Sequence, residues 1–188
     1  MMKITGLLLA AGKSTRFGRD KLIEPLADSS IAVQSAKNIL PHVSSLTVVI
    51  AEHNIILAKQ LEHLALTILP CSNADHGMAT SLVFGIQHTL DCDGWLIALA
   101  DMPFIQRDIY AQIISAAQQG HPLIAPYYQQ KRGHPIFISK KFENELLLLH
   151  GDVGARDILL KHADEIHPIQ TGDASILRDI DFQRDLLK

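Results

Sequence analysis

Cysteine is scarce in this chain: Cys71 and Cys92 are its only two, 21 residues apart and outside any CxxC pairing. The spacing argues for two buried thiols in a reducing compartment, not for a disulfide framework, redox pair or metal site. There is no excess of cations, since 17 Lys+Arg stand against 20 Asp+Glu for a net charge of −3. That balance argues against a surface built to bind polyanions such as nucleic acid, while leaving room for one local basic pocket. No apolar run approaches the roughly 18 residues needed to cross a bilayer, so no membrane is expected as a partner. Internal repeats, low-complexity tracts and Pro/Gly/Ser linkers are also missing, and residues 1–188 are read as one domain. The ten histidines contain no HExxH and no His/Cys cluster, so no zinc is expected. What remains is ordinary globular composition, 47% hydrophobic and 20% charged. A chain of this length buries roughly 70% of its unfolded surface without needing disulfides or a structural metal.

Residues 1–12 imitate a secretion signal, with a cation, a short apolar stretch and small residues after it. The apolar part is short even for a signal, and it runs straight into Lys13, Ser14, Arg16 and Gly18. The expectation is therefore a buried first strand followed by a glycine loop, in a cytoplasmic protein.

Short apolar runs at 4–9, 46–50, 66–69, 95–99, 123–125 and 136–138 read as strands. Helical patterns lie between and after them, at 31–40, 55–64, 78–90, 105–119, 141–149 and 155–162. In the third of these, Met78, Leu82, Ile86 and Leu90 recur every four residues and read as a core-facing stripe. Alternating β and α elements with two-faced apolar strands predict an α/β fold. It has three α/β/α layers, Rossmann-like, around a mainly parallel sheet. Ligands of such sheets bind beyond the carboxyl ends of the strands. The places to search are just after Leu9, Leu69, Leu99 and Ala125.

After the first strand, residues 9–21 carry Gly12, Gly18, Lys13, Arg16 and Lys21. Small residues let the backbone pass close to a ligand and aim successive N–H groups at phosphate oxygens. Arg16 adds a planar fork of donors and Lys21 a movable point charge. The alternative is a merely solvated basic loop. Two familiar phosphate motifs fail here: the P-loop glycine position is Leu7, and Gly12-Lys13-Ser14 breaks GxGxxG. The fourth strand ends in Asp101-Met102-Pro103, an acid held at the crevice mouth, suited to anchoring Mg²⁺ or alternatively to capping a helix. Near the end of the chain, Asp179 and Asp181 share one side if their segment is extended, and either is a candidate second metal carboxylate.

Leu9-Ala10-Ala11-Gly12-x-Ser14-x-Arg16-Phe17-Gly18-x-x-Lys21 resembles the nucleotide loop of the MobA-like NTP transferases, most closely their molybdenum cofactor cytidylyltransferase branch. Five further blocks follow in the family's order: residues 77–82, 100–104, 132–135, 151–156 and 179–181. The resemblance spans nearly the whole chain. It implies a nucleotidyltransferase fold and Mg²⁺-dependent transfer of CMP from CTP to the phosphate of molybdopterin cofactor, releasing pyrophosphate. The product would be the dinucleotide cofactor of molybdenum hydroxylases, whose apoenzyme is then a candidate partner. Ala11, where the guanylyl branch carries a second glycine, leans the base choice towards CTP over GTP.

The same resemblance implies residue roles. Arg16, Lys21 and Asp101 would be catalytic, with Asp101 and Asp181 holding the metal. Leu9, Ala10, Ala11, Gly12, Lys13, Ser14, Arg16 and Lys21 would bind nucleotide, joined by Gly77, Met78 and Ser81 on the base and ribose side. That second group sits where a helix start offers free N–H groups; simple helix entry is the alternative, and His76 is read as incidental. Arg132, Gly133 and His134 would contact the acceptor, His134 being equally readable as a structural histidine. Asp152 and Arg156 would join them, or form an ordinary helix cap and ion pair. Two positions depart from the family pattern: Ala79 replaces a glycine, and 182–185 is not Thr-Pro-Glu-Asp, which bears on Asp181. Other readings keep the fold with a sugar- or polyol-phosphate acceptor, or make the protein a non-catalytic molybdopterin carrier.

Overall fold

Seven consecutive buried residues, Ile4–Ala10, form the central strand β1. The computed structural model describes residues 2–12, 14, 17–152 and 154–187. After β1 come a small antiparallel hairpin, β2 (Pro25–Leu26) and β3 (Ser29–Ser30), and helix α1 (Ile31–Ile39). Then follow β4 (Ser45–Ala51), α2 (Ile55–Leu61), β5 (Thr67–Cys71), α3 (Met78–Gln87), β6 (Gly94–Leu99) and α4 (Arg107–Gln118). The chain continues through β7 (Leu123–Tyr128), β8 (Lys131–Arg132), β9 (Ile136–Ser139), α5 (Glu143–Leu147), α6 (Arg156–Lys161) and β10 (Ile166–Gln170).

The main sheet runs β10-β7-β9-β6-β1-β4-β5, with β8 paired to β7. Only β9 and the short β8 run antiparallel to their neighbours. In register, Leu7 of β1 faces Thr47 of β4 on one side and Ile97 of β6 on the other. Alternate residues of β1 enter two separate cores, as period-two geometry dictates. Ile4, Leu8 and Ala10 pack with α1, α2 and α4. Leu7 and Leu9 pack with α3, α5 and α6. The three α/β/α layers expected from the alternation are thus present.

Gly85 brings α3 close to the sheet. A Cβ there would lie 2.5 Å from Leu7 Cδ1, so any larger residue would have to displace the buried Leu7 side chain; glycine avoids this at the usual helical cost of about 1 kcal/mol. The result sets the start of α3 beside the carboxyl end of β1.

Three expectations need correction. The stripe on α3 is core only at Leu82 and Ile86; Met78 and Leu90 at its ends are exposed. The helix also stops at Gln87, and Thr89 Oγ1 then donates to Gly85 O (2.7 Å) and accepts from Trp95 Nε1 (2.9 Å). Strand β10 was not legible as an apolar run. Its sequence Ile-His-Pro-Ile-Gln lies on the sheet edge, where a proline is tolerated and the apolar demand is halved. Among the described residues, no helix is long and apolar enough to cross a membrane.

Candidate active site

The carboxyl ends of β1, β5 and β6 open onto a cavity of about 560 Å³. Its first wall is the loop after β1. There Ser14 takes a positive φ of 48°, and its carbonyl accepts from Phe17 N at 3.0 Å. Phe17 is buried and anchors the loop. Asp20 then caps the 3-10 turn Lys21–Ile23, accepting from Leu22 N (3.0 Å), while its other oxygen accepts from Asn54 Nδ2 (2.6 Å). This turn directs Lys21 inward.

Lys21 Nζ lies 2.9 Å from Asp101 Oδ2 and 3.0 Å from Asp181 Oδ1. The two acids come from opposite ends of the fold. Asp101 follows β6; Asp181 belongs to the C-terminal segment, which is tied down where Ile180 N donates to Asp101 O (2.9 Å). The wholly buried Ile180 side chain separates Asp179 from Asp181. Asp185 then fixes the last turn, accepting from Asp181 N (3.1 Å) and Phe182 N (2.8 Å). Arg178 reinforces the attachment, its guanidinium standing 4.1 Å from the centre of the Phe104 ring.

The electrostatics follow. Burial pulls the Lys21 ammonium down, but Asp101 and Asp181 outweigh it and the net shift is upward. Asp179 is pushed up by burial and by the charges of Asp181 and Asp101. One oxygen each of Asp101, Asp179 and Asp181 lies within 4.8 Å of the others. Three hard oxygen donors this close, two of them already holding the Lys21 ammonium, suit a divalent metal of the magnesium class.

The sequence-predicted residues divide clearly. Leu9, Ala11, Gly12, Ser14, Lys21 and Asp101 line the cavity from one side, and Gly77, Met78, Ser81 and Asp152 from the other. Ala10 lines an adjoining cavity of about 780 Å³ that shares Ala11, Gly12 and Ser14. Lys13 and Arg16 lie outside the described residues. Asp181 reaches the site through Lys21, and Asp179 joins the acid cluster.

The start of α3 is not open, contrary to expectation. Met78 N donates to Asp152 Oδ1 (3.0 Å) and Ala79 N to Gly151 O (3.1 Å). Asp152 therefore caps α3 and not α6, whose cap position is Ala155. Among the described residues no ion pair joins Asp152 to Arg156, which is exposed at the start of α6 and does not line the cavity. Gly77 makes the loop contact feasible: at φ 113°, any Cβ would lie 2.6 Å from Gly151 O.

Arg132, Gly133 and His134 also stand outside the cavity lining. Gly133 N donates to Pro126 O (2.9 Å), His134 N donates to Ile176 O (2.9 Å), and a Cβ on Gly133 would strike Ile176 O at 2.3 Å. Burial pushes the His134 imidazole down to about 4, partly countered by Asp101, so it is neutral at physiological pH. Among the described residues its buried Nδ1 has no hydrogen-bond partner. Five lining residues escape sequence reasoning, the apolar Leu22, Ala74 and Leu99 and the polar Asp75 and His76, of which His76 reads as incidental in the sequence. For Ala74, Asp75 and His76 the available signal was their position between the end of β5 and the start of α3.

Comparison with known proteins bears on the family and the fold. The model of the MobA-like NTP transferase domain matches residues 6–166. The chain is 26% identical over 188 residues to the molybdenum cofactor cytidylyltransferase of Escherichia coli (strain K12), covering 100% of this chain and 95% of that one. It is also 26% identical over 174 residues to the purine catabolism protein PucB of Bacillus subtilis (strain 168), covering 83% and 80%. The crystal structure of Rv0371c from Mycobacterium tuberculosis H37Rv has a TM-score of 0.86 at 21% identity, covering 98% and 95%. Its complex with manganese gives 0.82 at 20% identity, covering 97% and 95%.

Proposed function

We propose that this chain, which belongs to the MobA-like NTP transferase family, transfers CMP from CTP to the terminal phosphate of molybdopterin and releases pyrophosphate. The observation that carries the reading is the Lys21 ammonium held between Asp101 and Asp181 at the mouth of a glycine-loop cavity. The full-length similarity to a molybdenum cofactor cytidylyltransferase supports the choice of nucleotide and acceptor.

In this reaction an oxygen of the acceptor phosphate attacks the α-phosphorus, and the bond to the β-phosphate oxygen breaks. Both reactants are anions, so positioning and charge stabilisation supply most of the acceleration, and no general base is required. Backbone N–H groups of Gly12, Lys13 and Ser14 cradle the phosphates. Arg16 and Lys21 steady the charge that develops on pyrophosphate; for this Lys21 moves from the carboxylates to the triphosphate. Asp101 and Asp181 would hold Mg²⁺, which when bound would supply positive charge to offset that of the phosphates. Leu9, Ala10 and Ala11 face the nucleotide from the strand end, while Gly77, Met78 and Ser81 line its base and ribose side. Arg132, Gly133, His134 and Asp152 would form the acceptor side, of which only Asp152 lines the cavity itself, and Arg156 would have to move towards it from the exposed start of α6. The dinucleotide product passes to a molybdenum hydroxylase apoenzyme.

The test offers the protein a molybdopterin-type acceptor, Mg²⁺ and either CTP, GTP or ATP, following pyrophosphate and the dinucleotide product. Turnover with CTP that Asp101→Asn abolishes is expected. Turnover with GTP refutes the base choice. Turnover only with a sugar or polyol phosphate refutes the acceptor, and cofactor binding without turnover makes the protein a carrier.

A further inference from the structure

We propose that Ser35 and Asn38 of α1 are positioning residues that aim the Asp101 carboxylate, a role that rests on the metal reading of Asp101 given above. Both are polar side chains on the core face of α1, only 1% and 6% exposed. A serine inside a helix ordinarily returns its hydroxyl to the carbonyl four residues back. Ser35 Oγ is 3.2 Å from that carbonyl, of Ile31, but 2.8 Å from the carbonyl of Ala100. Its single proton favours the shorter contact.

One helical turn later, Asn38 Nδ2 donates to Pro103 O (2.8 Å) and reaches Ile105 O (3.4 Å), while Asn38 Oδ1 accepts from Gln34 Nε2 (3.0 Å). The same offset of 65 residues links Ser35 to Ala100 and Asn38 to Pro103. Residues 100–103 therefore run alongside α1 for one turn, with Asp101 between two pinned carbonyls. Ala100 N donates to Leu9 O (3.0 Å), and Asp101 O accepts from Ile180 N (2.9 Å). The backbone that carries the carboxylate is thus tied to α1, β1 and the C-terminal segment together. Buried polar side chains cost desolvation that apolar ones avoid. A metal ligand, by contrast, must be held to within about 0.5 Å.

The experiment titrates Mn²⁺ into the intact protein with a saturating non-hydrolysable CTP analogue and reads protein-bound metal by electron paramagnetic resonance. Ser35→Ala and Asn38→Ala are each expected to weaken Mn²⁺ binding by about fivefold to tenfold, at or just below the low end of what supporting hydrogen bonds cost at metal sites. Affinity for the analogue without metal should be unchanged. Wild-type Mn²⁺ binding in both variants, with only the thermal midpoint lowered, overturns the positioning role. If Asn38→Ala does not fold, Ser35→Ala decides alone, since alanine suits a helix interior. Asp101→Asn is measured alongside. No Mn²⁺ bound by the wild type, or as much bound by Asp101→Asn, defeats the metal reading itself and not the geometry of α1.

Discussion

Replacing Lys21 by methionine removes a cation that stands between Asp101 and Asp181 and keeps most of its aliphatic bulk. In the wild type the Lys21 side chain is 10% exposed, and those of Asp101 and Asp181 are 21% and 26% exposed. Two carboxylates with oxygens within 4.8 Å repel by about 3.5 kcal/mol at an effective dielectric near 20. Solvent at the cavity mouth screens part of this. The pair lies between an exposed one, worth up to about 1 kcal/mol, and a fully buried one, whose breaking costs about 3–5 kcal/mol. We expect Lys21→Met to lose about 2 kcal/mol at neutral pH without divalent cations, and about 4–8 °C in Tm for a chain of this size. The deficit shrinks when Mn²⁺ is added, because the metal replaces the missing charge. It also shrinks at both ends of the pH scale. In acid the carboxylates protonate. In alkali the wild type loses its own advantage: the folded pKa of Lys21 is raised, so its contribution is complete below the unfolded value of about 10.4 and disappears as pH climbs through the folded value. Urea unfolding of both proteins, with and without Mn²⁺ and across pH, checks each part. Equal stability at neutral pH without metal refutes the reasoning, and so does a deficit that neither Mn²⁺ nor pH alters.

Other perturbations probe other walls of the site. Arg132→Ala should raise the acceptor KM about tenfold, near 1.4 kcal/mol, and leave nucleotide KM unchanged; steady-state kinetics showing the reverse order moves Arg132 off the acceptor side. Gly77→Ala puts a Cβ 2.6 Å from Gly151 O at a φ of 113°, so a loss of about 3 kcal/mol and weaker nucleotide binding are expected. A calorimetric midpoint and nucleotide Kd equal to wild type would sink that claim. His134 takes up its proton near 6.5 when unfolded but only at about 4 when folded, so stability must fall as pH drops through that window, by up to about 3 kcal/mol. His42 and His167 are also shifted down by burial, so the decisive quantity is the difference from His134→Gln, whose profile should be flatter; identical profiles contradict the assignment.

Much of this molecule is written locally. The run Ile4–Ala10, followed at once by small residues, glycines and cations, announces a buried strand that ends in an anion-binding loop. The alternation of short apolar runs with helical patterns implies the layered sheet. The rule that ligands gather at strand ends then selects Gly12, Lys21 and Asp101 as neighbours. Each inference uses periodicity or adjacency, which any short window of sequence contains. The contacts that complete the site have no such signature. Lys21 meets Asp181 across 160 residues, Met78 is capped by Asp152 from 74 residues away, and Ser35 reaches Ala100 across 65. Nothing in the neighbours of Asp152 shows that its carboxylate serves α3, and nothing around Arg156 shows that it stands clear of the cavity. Strand β10 shares that ambiguity, because an edge strand needs neither a full apolar run nor freedom from proline. By itself the sequence determined the buried strands and the main helices, their layering and the chemical character of the loop after β1, since these follow from side-chain period and backbone freedom. Only the tertiary structure decided which acids share one cation, which loop closes α3 and which residues face the cavity, because those depend on the order of strands in the sheet and on where distant segments return to it.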